Sequence, residues 1–363
     1  MTDTTIHKFH DIESLRHIAQ SVAMHCEYYG IAVKPIIEFC GTVKLHGTNA
    51  GVRVCSDGSV LAQGRNRELT LTSDNYGFAH FVSGRKDFFK AYVAEVIGSV
   101  VGDIKGDVTL YGEWCGQGIQ AKVGVSKLPK MFVIFGALVH DTNRWIETWD
   151  LQAPHMNGKP LTYNLPAYNA QSVYFINQAP TYKVLVDFND PTPAAEQISQ
   201  YTLQVEDMCP FAHLPVFAQY HKGENIGVGE GIVWVAITRA WGAGQDPDSK
   251  RLVFKSKGEK HKKGGEKLQV SVNPEKVSAV AALVDLILPE WRLEQGITYL
   301  KENNIPLANT STGQYLKWIA QDILKEESDR IAANPYPWKE IQGTVMNRSK
   351  DYFMTFLNTE AGL

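Results

Sequence analysis

Val43-Lys44-Leu45-His46-Gly47-Thr48-Asn49 is the stretch from which the rest of the sequence can be read. An apolar run meets a glycine, and polar side chains crowd the junction. Side chains alternate along a strand, so Val43 and Leu45 should face a core while Lys44 and His46 share the opposite side. Gly47 should let the backbone turn tightly and bring Asn49 back toward them. A lysine so placed is a candidate nucleophile. With an ordinary pKa of about 10.4 it attacks only where apolar surroundings or neighbouring cations favour the neutral amine.

Such cations stand in Phe254-Lys255-Ser256-Lys257-Gly258, where strand periodicity puts Lys255 and Lys257 on one face and Leu252 and Phe254 on the other. Placed across from Lys44, they could hold phosphates and discourage Lys44 from carrying a proton. Carboxylates occur in similar strand-turn settings, Glu113 in Leu110-Tyr-Gly-Glu-Trp-Cys-Gly and Glu230 in Gly229-Glu-Gly-Ile-Val-Trp. Either could hold Mg²⁺ or a ribose hydroxyl, since Mg²⁺ is usually bound by one or two carboxylates with phosphate and water. Gln63-Gly-Arg65-Asn-Arg67 offers two guanidinium groups for phosphate or ribose, of which Arg65 is favoured, and Phe135 ends an apolar strand where a ring could stack on a purine. Cys115 beside Glu113 reads as a packed residue, not a nucleophile.

Around these motifs, residues from about 33 to 257 form short runs rich in Val, Ile, Phe and Tyr, punctuated by Gly, Asn, Asp and Pro. Strands are predicted at 42–46, 51–55, 108–114, 131–139, 231–238 and 251–257, with helices at 11–19 and 85–97. The region 140–229 carries the weakest pattern. This is an α+β block, not a βαβ alternation. The glycine-punctuated basic stretch 258–267 then reads as a mobile connection, and its Lys260, Lys262 and Lys263 as a local cluster able to meet a polyanion. Beyond it the apolar period becomes helical: Val277, Val280, Val284 and Ile287, then Leu316, Ile319 and Ile323, then Ile341, Val345, Tyr352, Phe353 and Phe356. The expected division is residues 1–265 and a small all-helical domain, 266–363.

At 363 residues, 44% apolar and 21% charged, the chain can bury two cores. Its formal charge of −3 means that any grip on a polyanion must come from local clusters of Lys and Arg. The five scattered cysteines argue against a zinc site or a disulfide framework, and the best apolar stretch, 277–288, is short and interrupted by Asp285. A soluble cytoplasmic protein is expected. No P-loop, GxGxxG or HExxH motif is present.

Taken in order, Lys-x-His-Gly-x-Asn, Gly-Arg-Asn-Arg, Tyr-Gly-Glu, Phe-Val-Ile-Phe-Gly, Glu-Gly-Ile-Val and Phe-Lys-Ser-Lys resemble the covalent nucleotidyltransferase superfamily of DNA ligases, RNA ligases and mRNA capping enzymes. The likeness spans roughly residues 35–258. It is nearest to the bacteriophage RNA ligase 2 family, which includes the trypanosome RNA-editing ligases, because His46 stands where DNA ligases and capping enzymes usually carry Asp. The resemblance implies an adenylyltransferase domain of ATP-grasp-like antiparallel sheets with flanking helices, followed by a helical module. It also implies ATP and Mg²⁺ or Mn²⁺, with Lys44 as the residue that takes AMP. Glu230 and Glu113 would be the metal- and ribose-associated carboxylates, and Arg65 and Asn49 ribose or phosphate contacts. Phe135 would be the adenine stacker, and Lys255 and Lys257 the α-phosphate ligands that assist catalysis. His46 is a hallmark of the pocket without a derived role. Gly136 departs from the pattern, since the family often has Asp after the stacking Phe; whatever that Asp contributes is absent or supplied elsewhere. The implied substrate is a pair of RNA ends, nicked duplex or bridged, joined in RNA repair by a monomer, in a host cytoplasm if the source is a phage or virus. A DNA ligase, a capping guanylyltransferase and a non-catalytic RNA-binding protein with this fold are the rival readings.

Overall fold

The computed structural model describes residues 6–9, 11–149, 155–156, 159–160, 165–237, 252–258 and 276–360. The basic residues Lys260, Lys262 and Lys263 and the expected connection around them lie outside the described residues. The chain divides into two compact units, Met1–Gly258 and Glu259–Leu363.

The strands of the first unit are β1 (Ile36–Lys44), β2 (Thr48–Val54), β3 (Val60–Gly64), β4 (Glu68–Leu69), β5 (Val108–Cys115), β6 (Met131–Val139), β7 (Arg144–Glu147), β8 (His155–Met156), β9 (Lys159–Pro160), β10 (Val173–Phe175), β11 (Tyr182–Asp187), β12 (Gly231–Ala236) and β13 (Val253–Lys257). Among the described residues they form a sheet in the order β11-β1-β12-β13, a second in the order β10-β6-β5-β2-β3-β4 with β7 also on β6, and the hairpin β8-β9. Pairing is antiparallel except for β10 on β6. The fold is therefore mixed α+β, built on antiparallel sheets. Central strands β5 and β6 are buried nearly end to end because both faces are covered.

One face of the larger sheet packs Val52, Leu110, Ile134 and Ala137 against Phe78, Phe81, Phe89 and Tyr92 from the short helices Phe78–Ser83 and Lys86–Tyr92. The smaller sheet packs Phe39, Val43, Trp234 and Phe254 with Cys115 and Val133 of the larger one and with the helices Leu15–Tyr28 and Thr192–Asp207. The opening helix differs from the expected 11–19. Ser14 caps it by accepting from the His17 N–H, and the stripe Ile18, Val22, Cys26 carries it on to Tyr28. Asp11 and Glu13 are left in extended backbone before the cap, with Glu13 bridged to Phe254 of β13.

The second unit is helical among its described residues: Lys276–Ile287, Glu290–Glu302, Thr312–Glu326, Ser328–Ala332 and Trp338–Glu360. Its core holds Val280, Val284, Ile287, Ile319, Ile323, Ile341, Val345 and Phe353, with Leu316, Tyr352 and Phe356 packed on it half-buried. The apolar pattern did not reveal that Arg292 is buried there, tied to Asp322 at 2.8 Å and Glu327 at 3.1 Å. No helix of the described residues is long and apolar enough to cross a membrane.

Candidate active site

The register of the smaller sheet builds the first half of the site. Lys44 ends β1, Gly231 opens β12 and Lys257 ends β13, and Gly231 lies opposite Lys44 on one side and Lys257 on the other. A Cβ at Gly231 would meet the Ser256 carbonyl at 2.0 Å, and its φ of +153° suits glycine. Glu230, one residue earlier, therefore projects between two lysines that are far apart in sequence. Its Oε2 accepts from Lys44 Nζ at 2.6 Å and lies 3.3 Å from His46 Nδ1, while its Oε1 lies 3.4 Å from Lys257 Nζ.

The Glu230 side chain is 2% exposed. Burial pushes its carboxyl up, but Lys44, then Lys257 and His46, overcome this and hold it well below the usual carboxylate range. An ionised carboxylate only accepts, so His46 Nδ1 must carry the hydrogen of its contact. His46 thus gains a role that its sequence did not reveal: it is a buried third donor to Glu230. Lys257 does not face Lys44 directly, as two bare cations would. Glu230 stands between them and shares its single negative charge with both.

Leu45-His46-Gly47 then carries the chain from one sheet to the other. The expected tight return of Asn49 over β1 is not what forms, because Thr48–Val54 pairs with β3 and β5 of the larger sheet. Gly47 is required for space: a Cβ there would lie 2.4 Å from the Trp114 carbonyl oxygen. Its N–H donates to Glu113 Oε1 at 2.9 Å, and Asn49 lies directly opposite Glu113 across β2 and β5. Glu113 is fixed to the motif loop by this bond. Cys115, on the same face two residues on, is fully buried; burial, and then Glu113, push its thiol well up.

Phe135 continues the alternation of Met131 and Val133, and a β-bulge then puts Gly136 on its side. Tyr111 pairs with Gly136 but Gly112 with Ile134, so Phe135 is an extra residue in β6. Ile134 and Ala137 lie in the core under the larger sheet, and the two residues between them turn to the opposite side. Gly136 is where the Trp145 ring lands: a Cβ would come within 2.2 Å of its Cζ2. An Asp here would require the Trp145 ring to shift. Arg65 and Arg67 separate by partner. Arg67 donates to the Ser73 carbonyl at 2.7 Å, the Ser73 hydroxyl at 3.0 Å and the Asp74 carbonyl at 3.2 Å, clasping its own turn. Arg65, just past β3, instead pairs with Asp11. Lys255 lies opposite Val233, two residues along β13 from Lys257 and on the same face.

The RNA ligase family model matches residues 37–257, more than half of the chain. The chain belongs to the RNA ligase family. Solved structures similar to this family member include a mutant of Naegleria gruberi RNA ligase with AMP and Mn, 19% identical with a TM-score of 0.42. The same ligase with PPi is 20% identical with a TM-score of 0.42, and a mutant with ATP and Mn is 19% identical with a TM-score of 0.41. In each case the match covers 70% of this chain and 56% of that one, so the chain spans little more than half the length of that ligase. No curated protein matches this RNA ligase family member.

The six motifs thus enter the site by two routes. Lys44, His46, Glu230 and Lys257 meet through direct contacts, and Glu113 and Asn49 join them through the Gly47 loop. Arg65 and Phe135 are linked through a segment that sequence reading missed, the stretch bearing His7, Phe9, Asp11 and Glu13. Tyr111 and Trp145 were missed with it; the Phe9 ring lies 5.0 Å from Phe135, 5.6 Å from Tyr111 and 5.7 Å from Trp145. Neither apolar period nor turn chemistry marks this stretch in the sequence. Among the described residues no group of three or more His, Cys, Asp and Glu gathers as a metal cage. The ionised Glu230 and the half-buried Glu113 still suit a hard cation that takes one or two carboxylates.

Proposed function

We propose that the chain is an ATP-dependent RNA ligase that stores AMP on Lys44, with an adenylyltransferase domain in residues 1–265 and a helical domain in 266–363. The observation that carries this reading is the Lys44–Glu230–Lys257 arrangement, a lysine amine held at 2.6 Å by a buried carboxylate between two cations. Lys44 Nζ exchanges its bond to Glu230 for the α-phosphorus of ATP. The N–P bond forms as the α–β anhydride breaks, and pyrophosphate leaves. An RNA 5′-phosphate oxygen then takes the AMP, breaking the N–P bond. Finally a 3′-OH attacks the activated 5′ phosphorus, forming the phosphodiester and releasing AMP.

A carboxyl held so far below its usual range is a poor proton acceptor at neutral pH. Glu230 therefore orients the amine and balances charge, and the amine sheds its proton to solvent before the bond forms. Lys257 and Lys255 offer positive charge on one strand face to the α-phosphate, Arg65 and Asn49 hold ribose or phosphate, and Phe135 stacks on the base. Glu230 and Glu113 would hold Mg²⁺ or Mn²⁺, which when bound neutralises phosphate charge. His46, as a donor to Glu230, keeps that carboxylate aimed. The bacteriophage RNA ligase 2 and editing-ligase group, acting as monomers on nicked or bridged RNA in repair, is the subfamily that the His46 motif favours.

The test is incubation with Mg²⁺ and α-labelled ATP or GTP, followed by denaturing electrophoresis of wild type and Lys44→Ala. Label from ATP alone that vanishes in the variant is the expected result. Label from GTP would make the protein a capping-type guanylyltransferase, and no label from either would leave a binding protein in a ligase fold.

A further inference from the structure

We propose that the segment bearing His7, Phe9, Asp11 and Glu13 is a built-in wall of the nucleotide pocket, and that Asp11 is a positioning residue that aims Arg65 at the nucleotide. The inference rests on the adenylyl-transfer reading above.

The segment is anchored on either side of Asp11 without its help. The His7 carbonyl accepts from Gln63 Nε2 at 2.9 Å and from the Tyr111 hydroxyl at 2.7 Å. The Phe9 ring, 8% exposed, seats on Phe135, Tyr111 and Trp145. Beyond Asp11, the Glu13 carbonyl accepts from the Lys255 N–H at 2.8 Å. One strap thus touches residues of both sheets to which the nucleotide is assigned: Phe135, Arg65 and Lys255. Asp11 lies between the anchors, and its Oδ1 accepts from Arg65 Nη2.

This ion pair does little for the fold. Its partners are 42% and 47% exposed, and pairs that wet contribute little to stability. Its effect is on aim. A free arginine side chain loses much rotamer freedom when it grips an anion, whereas one already held on a carboxylate loses less. The guanidinium fork has five N–H donors, so one edge can rest on Asp11 while the other meets ribose or phosphate. A carboxylate beside the stacking ring could come from position 136 only if the Trp145 ring shifted. The carboxylate that the strap brings is fixed to Arg65, two residues on from the Phe9 ring that seats on Phe135. Phe9 acts in the same sense by bracing the bulged Phe135.

The experiment measures the rate of covalent Lys44 labelling against ATP concentration in wild type, Asp11→Asn, Asp11→Glu, Arg65→Leu and the double variant Asp11→Asn/Arg65→Leu, with an unfolding midpoint for each. Asp11→Asn should raise the half-saturating ATP concentration about 10-fold, as expected for loss of one charge-assisted positioning contact, with the limiting rate within about 2-fold of wild type. Asp11→Glu should recover most of the loss. In the Arg65→Leu background, Asp11→Asn should add nothing, because there is no guanidinium left to aim. An unchanged ATP dependence in Asp11→Asn would overturn the proposal. So would tighter ATP binding, which would make the strap an obstruction, or a loss that Asp11→Glu does not repair and that tracks a lowered unfolding midpoint. These outcomes are distinct from failure of the ligase reading itself, in which wild type would take no label from ATP.

Discussion

The two halves of the site are held by opposite means. On the smaller sheet, Lys44, His46 and Lys257 converge on a carboxylate that is 2% exposed, and strand register alone brings them there. On the larger sheet, Arg65 lies half in solvent, Phe135 sits on a bulge, and an N-terminal strap ties the two together. In the first half a buried carboxylate is shared by two part-buried lysines, so it cannot be altered without cost. In the second half the contacts are wet or aromatic and can be retuned singly. On the proposed reading, bond making falls to the first, where electrostatic effects are least screened, and recognition of base and ribose to the second.

The sharpest way to break this contrast is Glu230→Gln. It leaves the Lys44 and Lys257 ammonium groups around a neutral amide and should cost about 3–5 kcal/mol of stability, as removal of one partner from a buried ion pair does. Denaturant unfolding checks the cost, and Lys44 labelling should be lost beyond what the folded fraction explains. A variant that unfolds less readily than wild type would mean that the carboxylate is not shared as described.

Next in size is Gly136→Ala, which drives a methyl into the Trp145 ring and should cost about 1–3 kcal/mol by overpacking. Trp145→Val in the same chain should recover much of that stability while leaving Phe135 and Phe9 less well braced. Simple addition of the two single effects would show that 136 and 145 do not share the space.

Smaller again is the contrast between the two arginines. Arg67→Ala should lower stability by roughly 0.5–2 kcal/mol through its lost turn contacts, with the ATP dependence of labelling unchanged. Arg65→Ala should do the reverse, shifting half-saturation with little change in unfolding midpoint. Exchange of those two outcomes would reverse their assignment.

The mildest test is pH, which should separate the halves. His140 packs edge-on against His7 of the strap at 4.0 Å. Burial first, then His7 and Arg53, lower its pKa to about 4, with Asp107 and Asp141 opposing. The unfolded chain therefore binds a proton that the native state refuses between about 6.5 and 4, and stability from this group is lost as pH falls through that window. Glu230 is also depressed, but as an acid its contribution is present above the unfolded carboxylate pKa of about 4.3 and is lost only as pH falls through its lower native value. His140→Asn should flatten the stability curve between pH 6.5 and 4 and leave the more acidic limb unchanged; equal slopes in variant and wild type would remove His140 from the account.

Much of this molecule was legible before its structure. Lys44, Glu230, Glu113 and Lys257 stand out because each interrupts an apolar run beside a glycine, and strand alternation separates Lys255 and Lys257 from Phe254. The boundaries of β6 and the helical character of described residues 276–360 follow from period alone. Alternation was silent where the chain left regular pairing: at the crossing from β1 to β2, at the bulge that turns Phe135 and Gly136 to the same side, and along the strap.

The sequence by itself determined which residues are candidates for the chemistry and which face of each strand carries them, because period and turn chemistry are local. Only the tertiary structure decided who meets whom. Glu230 reaches Lys44 across 186 positions of sequence through the register of β12 on β1, and Asp11 reaches Arg65 across 54 because extended backbone lies over the larger sheet. Register and docking are set by the packing of whole sheets, and a sum over distant contacts leaves no mark on any short stretch of chain.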